Sequence, residues 1–353
     1  MAVQQFLPVY RPTIKRKDLE YVLNTMVQDQ VSYGEYAKNF EKKLFERTGS
    51  YNVIAVNSYF NTLNLIFETL DIGEGDEVIM PSWIPQIYLN VVLLRKAVPI
   101  LVDLEEGKLQ PNVEQVRQAL SPNTKLLVLY YWFGYTYDPE PYSSLVPKIL
   151  EDVTTVIGAK ANGVTVGTKN MYAVADFSYR SLITTGEGAA VFCNTRPAYH
   201  LLRSHIDDGT SDLEYSPRIT CLMPDLNAAM GLSQIESLNH KLKLRDTIGH
   251  LYEQALQQSR NTFVPIDDKC ERYYADFPII LKSSLKDAVA YLKKNKIEAV
   301  RPFAYPLHQY LNMPKENFPA TEHFYLKTIL IPNYSSLSKT DVTHITKIIT
   351  TML

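Results

Sequence analysis

Apolar residues recur at helical spacing in "RKDLEYVLNTMVQ" and again in "YAKNFEKKLFERTG", where Gly49 stands at the place of a C-terminal cap. From there the pattern alternates. "NVIAVN" reads as strand, "NTLNLIFETLDIG" as helix and "DEVIMP" as strand. "QIYLNVVLLRKA" reads as helix, "VPILVDL" as strand and "PNVEQVRQAL" as helix; "TKLLVLYYWFG" and "PKILEDV" are short apolar runs of buried-strand type. Strands alternating with helices predict an α/β fold with a mostly parallel sheet covered on both faces. Near Leu226 the pattern becomes one long helix, "LNAAMGLSQIESLNHKLKLRDTIGHLYEQAL". Strand-like "ADFPIIL", helix-like "SLKDAVAYLKKN" and a terminal helix, "SKTDVTHITKIITTML", follow. The reading is a large α/β domain over residues 1–245 and a small C-terminal α+β domain over 246–353, with the long helix bridging them.

Composition narrows the class. Hydrophobic residues make up 46% of the 353 residues, enough for a sizeable core, and the net charge of −2 gives no reason to expect nucleic acid or an anionic membrane as partner. The three cysteines are far apart and match neither a metal site nor a disulfide framework. The N-terminal "MAVQQFLPVYRPT" lacks the basic and then apolar regions of a signal peptide, and no run of about 18 apolar residues could span a membrane. A soluble, cytoplasmic protein is the expectation. The 24 tyrosines are many for this length; packing accounts for them unless a recognition surface uses them.

Seven segments, taken in order, carry a resemblance: "LDIGEGDEVIMPS", "KAVPILVDL", "SPNTKLLVLYYWFG", "ILEDVTTVIGA", "ITTGEGAAVF", "LNAAMGLSQIESL" and "YPLH". Together they resemble the DegT/DnrJ/EryC1/StrS family of sugar aminotransferases, which depend on pyridoxal phosphate (PLP). The resemblance implies the type I aminotransferase fold, a large domain with a mostly parallel seven-stranded sheet plus a small C-terminal α+β domain. It also implies a dimer whose subunits complete each other's clefts; the cofactor is PLP or its amine form, PMP, if the family function is retained, and otherwise none is expected.

PLP chemistry needs a lysine amine to hold the aldehyde, a carboxylate on the pyridine nitrogen, donors for the phosphate and a wall against the ring. The resemblance puts the carboxylate at Asp152; read without it, Asp152 is a strand-end Asp capping a turn. At the phosphate step, where the family has small residues, stand Tyr59 and Phe60. Ser58 and Asn61 remain as donors, or simply as the cap of a helix. The wall position falls on Pro85, and Trp83 beside it reads as core. Laid down without gaps from Gly167, the lysine position falls on Ser181 and the phosphate-binding serine on Asp176. A carboxylate about 4 Å from a phosphate costs on the order of 1 kcal/mol per unit-charge pair in water, and more when buried. A shifted alignment restores Ser178 to the phosphate but still supplies no lysine, since none occurs between Lys169 and Lys241. Arg180 forms no useful imine.

The partner subunit's Asn and Arg positions fall on Thr220 and Leu222, with Arg218 near. On the substrate side, Tyr305 and His308 keep a motif that in the family lies near the sugar-nucleotide pocket, with a packed structural histidine as the alternative for His308; Arg301 and Arg203 suit a diphosphate, or are solvated surface arginines. The leading expectation is a homologue without aminotransferase activity. It would bind a nucleotide sugar, or pair as homodimer or heterodimer with an active paralogue, in polysaccharide or modified-sugar synthesis. Two alternatives stay open: a sugar-modifying enzyme using PLP or PMP without a lysine, and a conventional aminotransferase in which Lys160 or Lys169 reaches the cofactor.

Overall fold

The computed structural model describes residues 6–146, 148–207 and 217–352. Helices α1 (Arg16–Val27) and α2 (Glu35–Thr48) lead into β1 (Asn52–Val56), α3 (Tyr59–Thr69), β2 (Glu77–Pro81), α4 (Ile87–Leu94) and β3 (Val98–Val102). There follow α5 (Val113–Gln118), β4 (Thr124–Tyr130), α6 (Glu140–Ser143) and β5 (Ile149–Asp152). A small hairpin, β6 (Lys160–Ala161) with β7 (Val164–Thr165), precedes β8 (Tyr172–Asp176) and β9 (Ala189–Cys193). Then come α7 (Arg196–Ser204), α8 (Asp225–Glu236) and α9 (Leu238–Leu256). The remainder holds β10 (Phe277–Ile280), α10 (Leu285–Lys294), α11 (Leu307–Tyr310), α12 (Pro319–Lys327), β11 (Thr328–Ile331) and α13 (Lys339–Thr350).

Seven strands form one sheet in the order β1-β9-β8-β5-β4-β2-β3. The pairs β8–β5, β5–β4, β4–β2 and β2–β3 are parallel, and β9 runs antiparallel to both of its neighbours. This is the mostly parallel seven-stranded sheet that the alternating pattern and the resemblance imply. The register sets Tyr130 beside Asp152 and Asp152 beside Val174. The carboxyl ends of β4, β5 and β8 therefore lie together, on the edge where open α/β sheets bind ligands.

Local signals explain many of the element ends. Helix α2 stops at Gly49, whose φ of 75° is the left-handed conformation a C-terminal glycine adopts without strain. Ser58 caps α3 by accepting from Asn61 N, and Ser338 with Asp341 forms a reciprocal capping box at α13. The expected single long helix is two: α8 and α9 meet at Ser237, with φ −92° and ψ −2°. Its hydroxyl donates to Gln234 O at 3.0 Å, a local bond that competes with the helical ladder.

Two hydrophobic clusters part along α9. Leu238 belongs to the larger one, around the sheet, and Ile248, Tyr252 and Leu256 to the smaller one, with β10, β11 and α13. Leu307, Phe324 and Tyr325 of α11 and α12 pack into the larger cluster.

Edge strand β1 is covered. Ala55 N donates to Glu41 Oε1 at 2.9 Å, and Met223 N donates to Ala55 O at 3.0 Å. Burial pushes the Glu41 carboxyl from 4.5 up to about 7, against the hydrogen bonds from Ala55 and Tyr33. Between these values the folded chain holds a proton that the unfolded chain releases. The stabilisation is full below pH 4.5 and is lost as pH rises through about 7. Glu41→Gln should remove this loss, gaining on the order of 2 kcal/mol over wild type at pH 8 relative to pH 4.5, read by urea denaturation at both pH values.

Candidate active site

A cleft of about 390 Å³ opens at the carboxyl edge of the sheet. Tyr130 and Asp152 enter it from the ends of β4 and β5, and Asp176 from β8 with Ser178 and Ser181 in the turn beyond. Tyr59 enters from the first turn of α3, Tyr10 from the N-terminal segment, and Asp276 and Phe303 from the C-terminal part of the chain.

Asp152 is fully buried and its oxygens are occupied by the chain itself. Oδ2 accepts from the hydroxyl of Tyr59 in a short hydrogen bond and from Tyr88 at 2.8 Å; Oδ1 accepts from Thr154 N at 3.0 Å. Burial pushes the Asp152 carboxyl up, while the bonds from Thr154, Tyr59 and Tyr88 pull it down. The net direction is up. Tyr59 and Tyr88 are raised well above their ordinary value by burial and by Asp152, so both hydroxyls stay protonated and donate. A pyridine ring reaching Oδ2 would have to displace a phenol from an acceptor that already serves two donors.

Beside it, Asp176 Oδ2 accepts from Ser178 Oγ at 2.5 Å and Ser181 Oγ at 3.2 Å, and Oδ1 from Ser178 N at 3.1 Å. Ser178 is thereby drawn onto a carboxylate rather than freed for an anion, and Ser181, where the resemblance leads one to expect the lysine, does the same. Burial pushes Asp176 up, the bonds from Ser178 counter it, and Asp152 adds to the rise. No lysine lines the cleft among the described residues. Lys169 pairs with Glu140 at 2.6 Å on the surface, and Lys160 is exposed.

The other expected residues separate. Ser58 and Asn61 serve α3 locally, Asn61 Nδ2 donating to Asn57 Oδ1 at 2.8 Å. Phe60 turns into the core and Pro85 lines the cleft. Trp83 is fully buried, stacked on Phe324 with centroids 5.5 Å apart. His308 is also fully buried. Its Nδ1 meets Ser82 Oγ at 2.8 Å, its Nε2 meets Glu322 Oε1 at 2.9 Å, and its ring stacks on Phe318. Burial lowers its pKa below the usual 6.5, against the pull of Glu322. Both ring nitrogens are committed inside the protein, as the packed alternative for His308 has it and not as a sugar-facing ring would be.

Tyr305 and Arg301 are exposed next to the lining residues Pro302 and Phe303, and Arg301 Nη1 donates to Tyr325 Oη at 2.7 Å. Arg203 lies on α7, near Glu41 and Tyr199, and does not line the cleft. Leu222 bridges Val56, and Thr220 donates to Asp207. Tyr88, Tyr10, Tyr130 and Asp276 belong to the site without any signal in the sequence. Nothing in their local pattern distinguishes them from packing residues.

The sequence profile of the DegT/DnrJ/EryC1/StrS aminotransferase family matches residues 12–350. The GDP-perosamine synthase of Escherichia coli O157:H7 is 26% identical over 357 residues, covering 97% of each chain. The solved structure of Spr1654 from Streptococcus pneumoniae in its PMP form superposes with a TM-score of 0.91 at 21% identity, covering 98% of this chain and 97% of that one. The aminotransferase TlmJ from Streptoalloteichus hindustanus gives 0.89 at 23% identity, covering 97% of each. These likenesses identify the architecture as that of the type I PLP aminotransferases. With the profile running almost from end to end, the chain belongs to the DegT/DnrJ/EryC1/StrS aminotransferase family.

Proposed function

We propose that this member of the family does not transaminate and instead binds a nucleotide sugar without converting it, alone or paired with an active paralogue. The observation that carries the reading is the phenol of Tyr59 on Asp152 in a cleft without a lysine. A transaminase needs that carboxylate for the cofactor nitrogen and an amine to hold the cofactor aldehyde. The cradle agrees: Asp176 brings negative charge where the family binds a phosphate, and Ser178 is tied to it. PLP and PMP are therefore poorly matched to the residues present. Arg301 and Tyr305, exposed beside the cleft, are the proposed contacts for the nucleotide end. The site and the homodimer or heterodimer are read from the family. The pathway, polysaccharide or modified-sugar synthesis, is likewise a family inference.

The test pairs binding with turnover. GDP-linked sugars are the first probes, because relatives at 26% and 25% identity are named GDP-perosamine synthase. A GDP-sugar should raise the melting temperature. With glutamate, added PLP and a GDP-linked keto-sugar present, whose carbonyl could accept the amine, no 2-oxoglutarate should be released. Release of 2-oxoglutarate that depends on the sugar would end the reading.

A further inference from the structure

The cleft has recognition capacity that the chain leaves unspent. Tyr130 is only 8% exposed, lines the cleft, and its hydroxyl has no hydrogen-bond partner among the described residues. The Tyr10 hydroxyl and the carboxylate of half-buried Asp276 line the same space and are likewise without hydrogen bonds there. Aromatic faces surround them. The rings of Tyr130 and Phe303 stand at 74° with centroids 6.1 Å apart, two walls of a box, and Tyr10 and Phe133 also line the cleft.

The charge in this box is one-sided. Asp152, Asp176, Glu187 and Asp276 line the cleft against the single guanidinium of Arg180, which lies 5.3 Å from the Tyr10 ring centroid and also over Tyr179. Arg245, behind Asp276, is committed to the carbonyl oxygens of Ala275 and Asn333. Burial holds the Asp276 carboxyl up at about 6 in spite of Arg245 and Arg180. A carboxylate in that position lacks donors, and a phosphate brought here would add charge of the same sign. A ligand cation bearing N–H donors would supply what is missing, and aromatic faces with a carboxylate are the surroundings that hold an ammonium.

We propose that the cleft takes a small organic ammonium, its N–H groups on Asp276, Tyr10 and Tyr130 and its body against the rings of Tyr130 and Phe303. This rests on the reading that the cleft no longer serves PLP, and it names the chemistry that replaces that cofactor.

The probes are glucosamine, N-acetylglucosamine and glucose, which share a ring and differ in one group: charged amine, neutral amide, hydroxyl. Titration calorimetry near pH 7 should find glucosamine bound about tenfold tighter than either neutral sugar. Asp276→Asn should erase that preference. Because this change leaves Arg245 without its nearby carboxylate, Tyr10→Leu serves as a second variant, and it should cut the preference several-fold. Equal affinity for the three sugars, no binding of glucosamine, or a full preference surviving in Tyr10→Leu would each overturn the proposal. A covalent PLP adduct mapped to a residue of the cleft in wild-type protein would instead overturn the reading beneath it, so the two failures are told apart.

Discussion

Protein incubated with PLP, reduced with borohydride and weighed should keep its unmodified mass at the cleft. The cleft offers no amine among the described residues, and Tyr59 and Tyr88 already fill the acceptor that a pyridine nitrogen needs. The prediction sharpens in two variants. Ser181→Lys alone places an amine where the resemblance expects the lysine but leaves the Tyr59 phenol on Asp152, so it should gain little. Ser181→Lys with Tyr59→Gly removes the occupant as well. Glycine in the first turn of α3 costs at most about 1 kcal/mol of helix stability. Relieved of Tyr59 and still accepting from Tyr88, the carboxylate can then make a charge-assisted bond, which is worth up to about 100-fold in apparent PLP affinity over the single variant. The readouts are the yellow absorbance of the bound cofactor and a reduced adduct mapped to residue 181. An adduct mapped to a cleft residue in the unaltered chain contradicts the account. So does a double variant that takes up no more cofactor than Ser181→Lys.

Asp225→Ala should cost about 4 kcal/mol of folding stability. Asp225 is fully buried at the start of α8, and its carboxylate caps a different helix. Oδ1 accepts from Gly34 N and Ala37 N, both at 2.9 Å, and Oδ2 from Tyr36 N at 3.2 Å. These are N–H groups at the open end of α2, where nothing local pairs with them and the helix dipole favours a negative charge. Alanine would leave all three donors without their acceptor, that of Ala37 in the interior. Asn keeps one acceptor oxygen and should lose about half as much. Gly34 belongs to the same arrangement, because a Cβ there would sit 2.8 Å from Asp225 Oδ2. The measurement is the urea midpoint at constant slope. A midpoint for Asp225→Ala within error of wild type would show that the cap contributes nothing.

These two predictions differ in how far the residues could read them. The stretch without lysine from 170 to 240 is visible in the sequence, and so is the bulk of Tyr59 where the resemblance leads one to expect small residues. That Tyr59 would find Asp152 is not visible, because the contact joins residues 93 positions apart, and that from Tyr88 spans 64. His308 shows the opposite failure. Its motif is intact, but spacing does not say which way a ring faces, and the fold turns it inward between Ser82 and Glu322. Ser237 marks a smaller miss: one serine hardly disturbs a helical periodicity, yet α8 and α9 meet there, with its hydroxyl on Gln234 O.

What the sequence determined by itself is local: the order of strands and helices, the parallel character of the sheet, the glycine stop at Gly49, and the lack of an amine from residue 170 to 240. Periodicity and residue type act over a few positions, and these features need nothing more. Only the tertiary structure decided which hydroxyls meet Asp152, which carboxylate caps α2, and that Tyr10, Tyr130 and Asp276 face one cleft. Each of those depends on where distant segments converge at the carboxyl edge of the sheet or across packed helices. That convergence is set by the burial of whole faces, and no short stretch of chain records it.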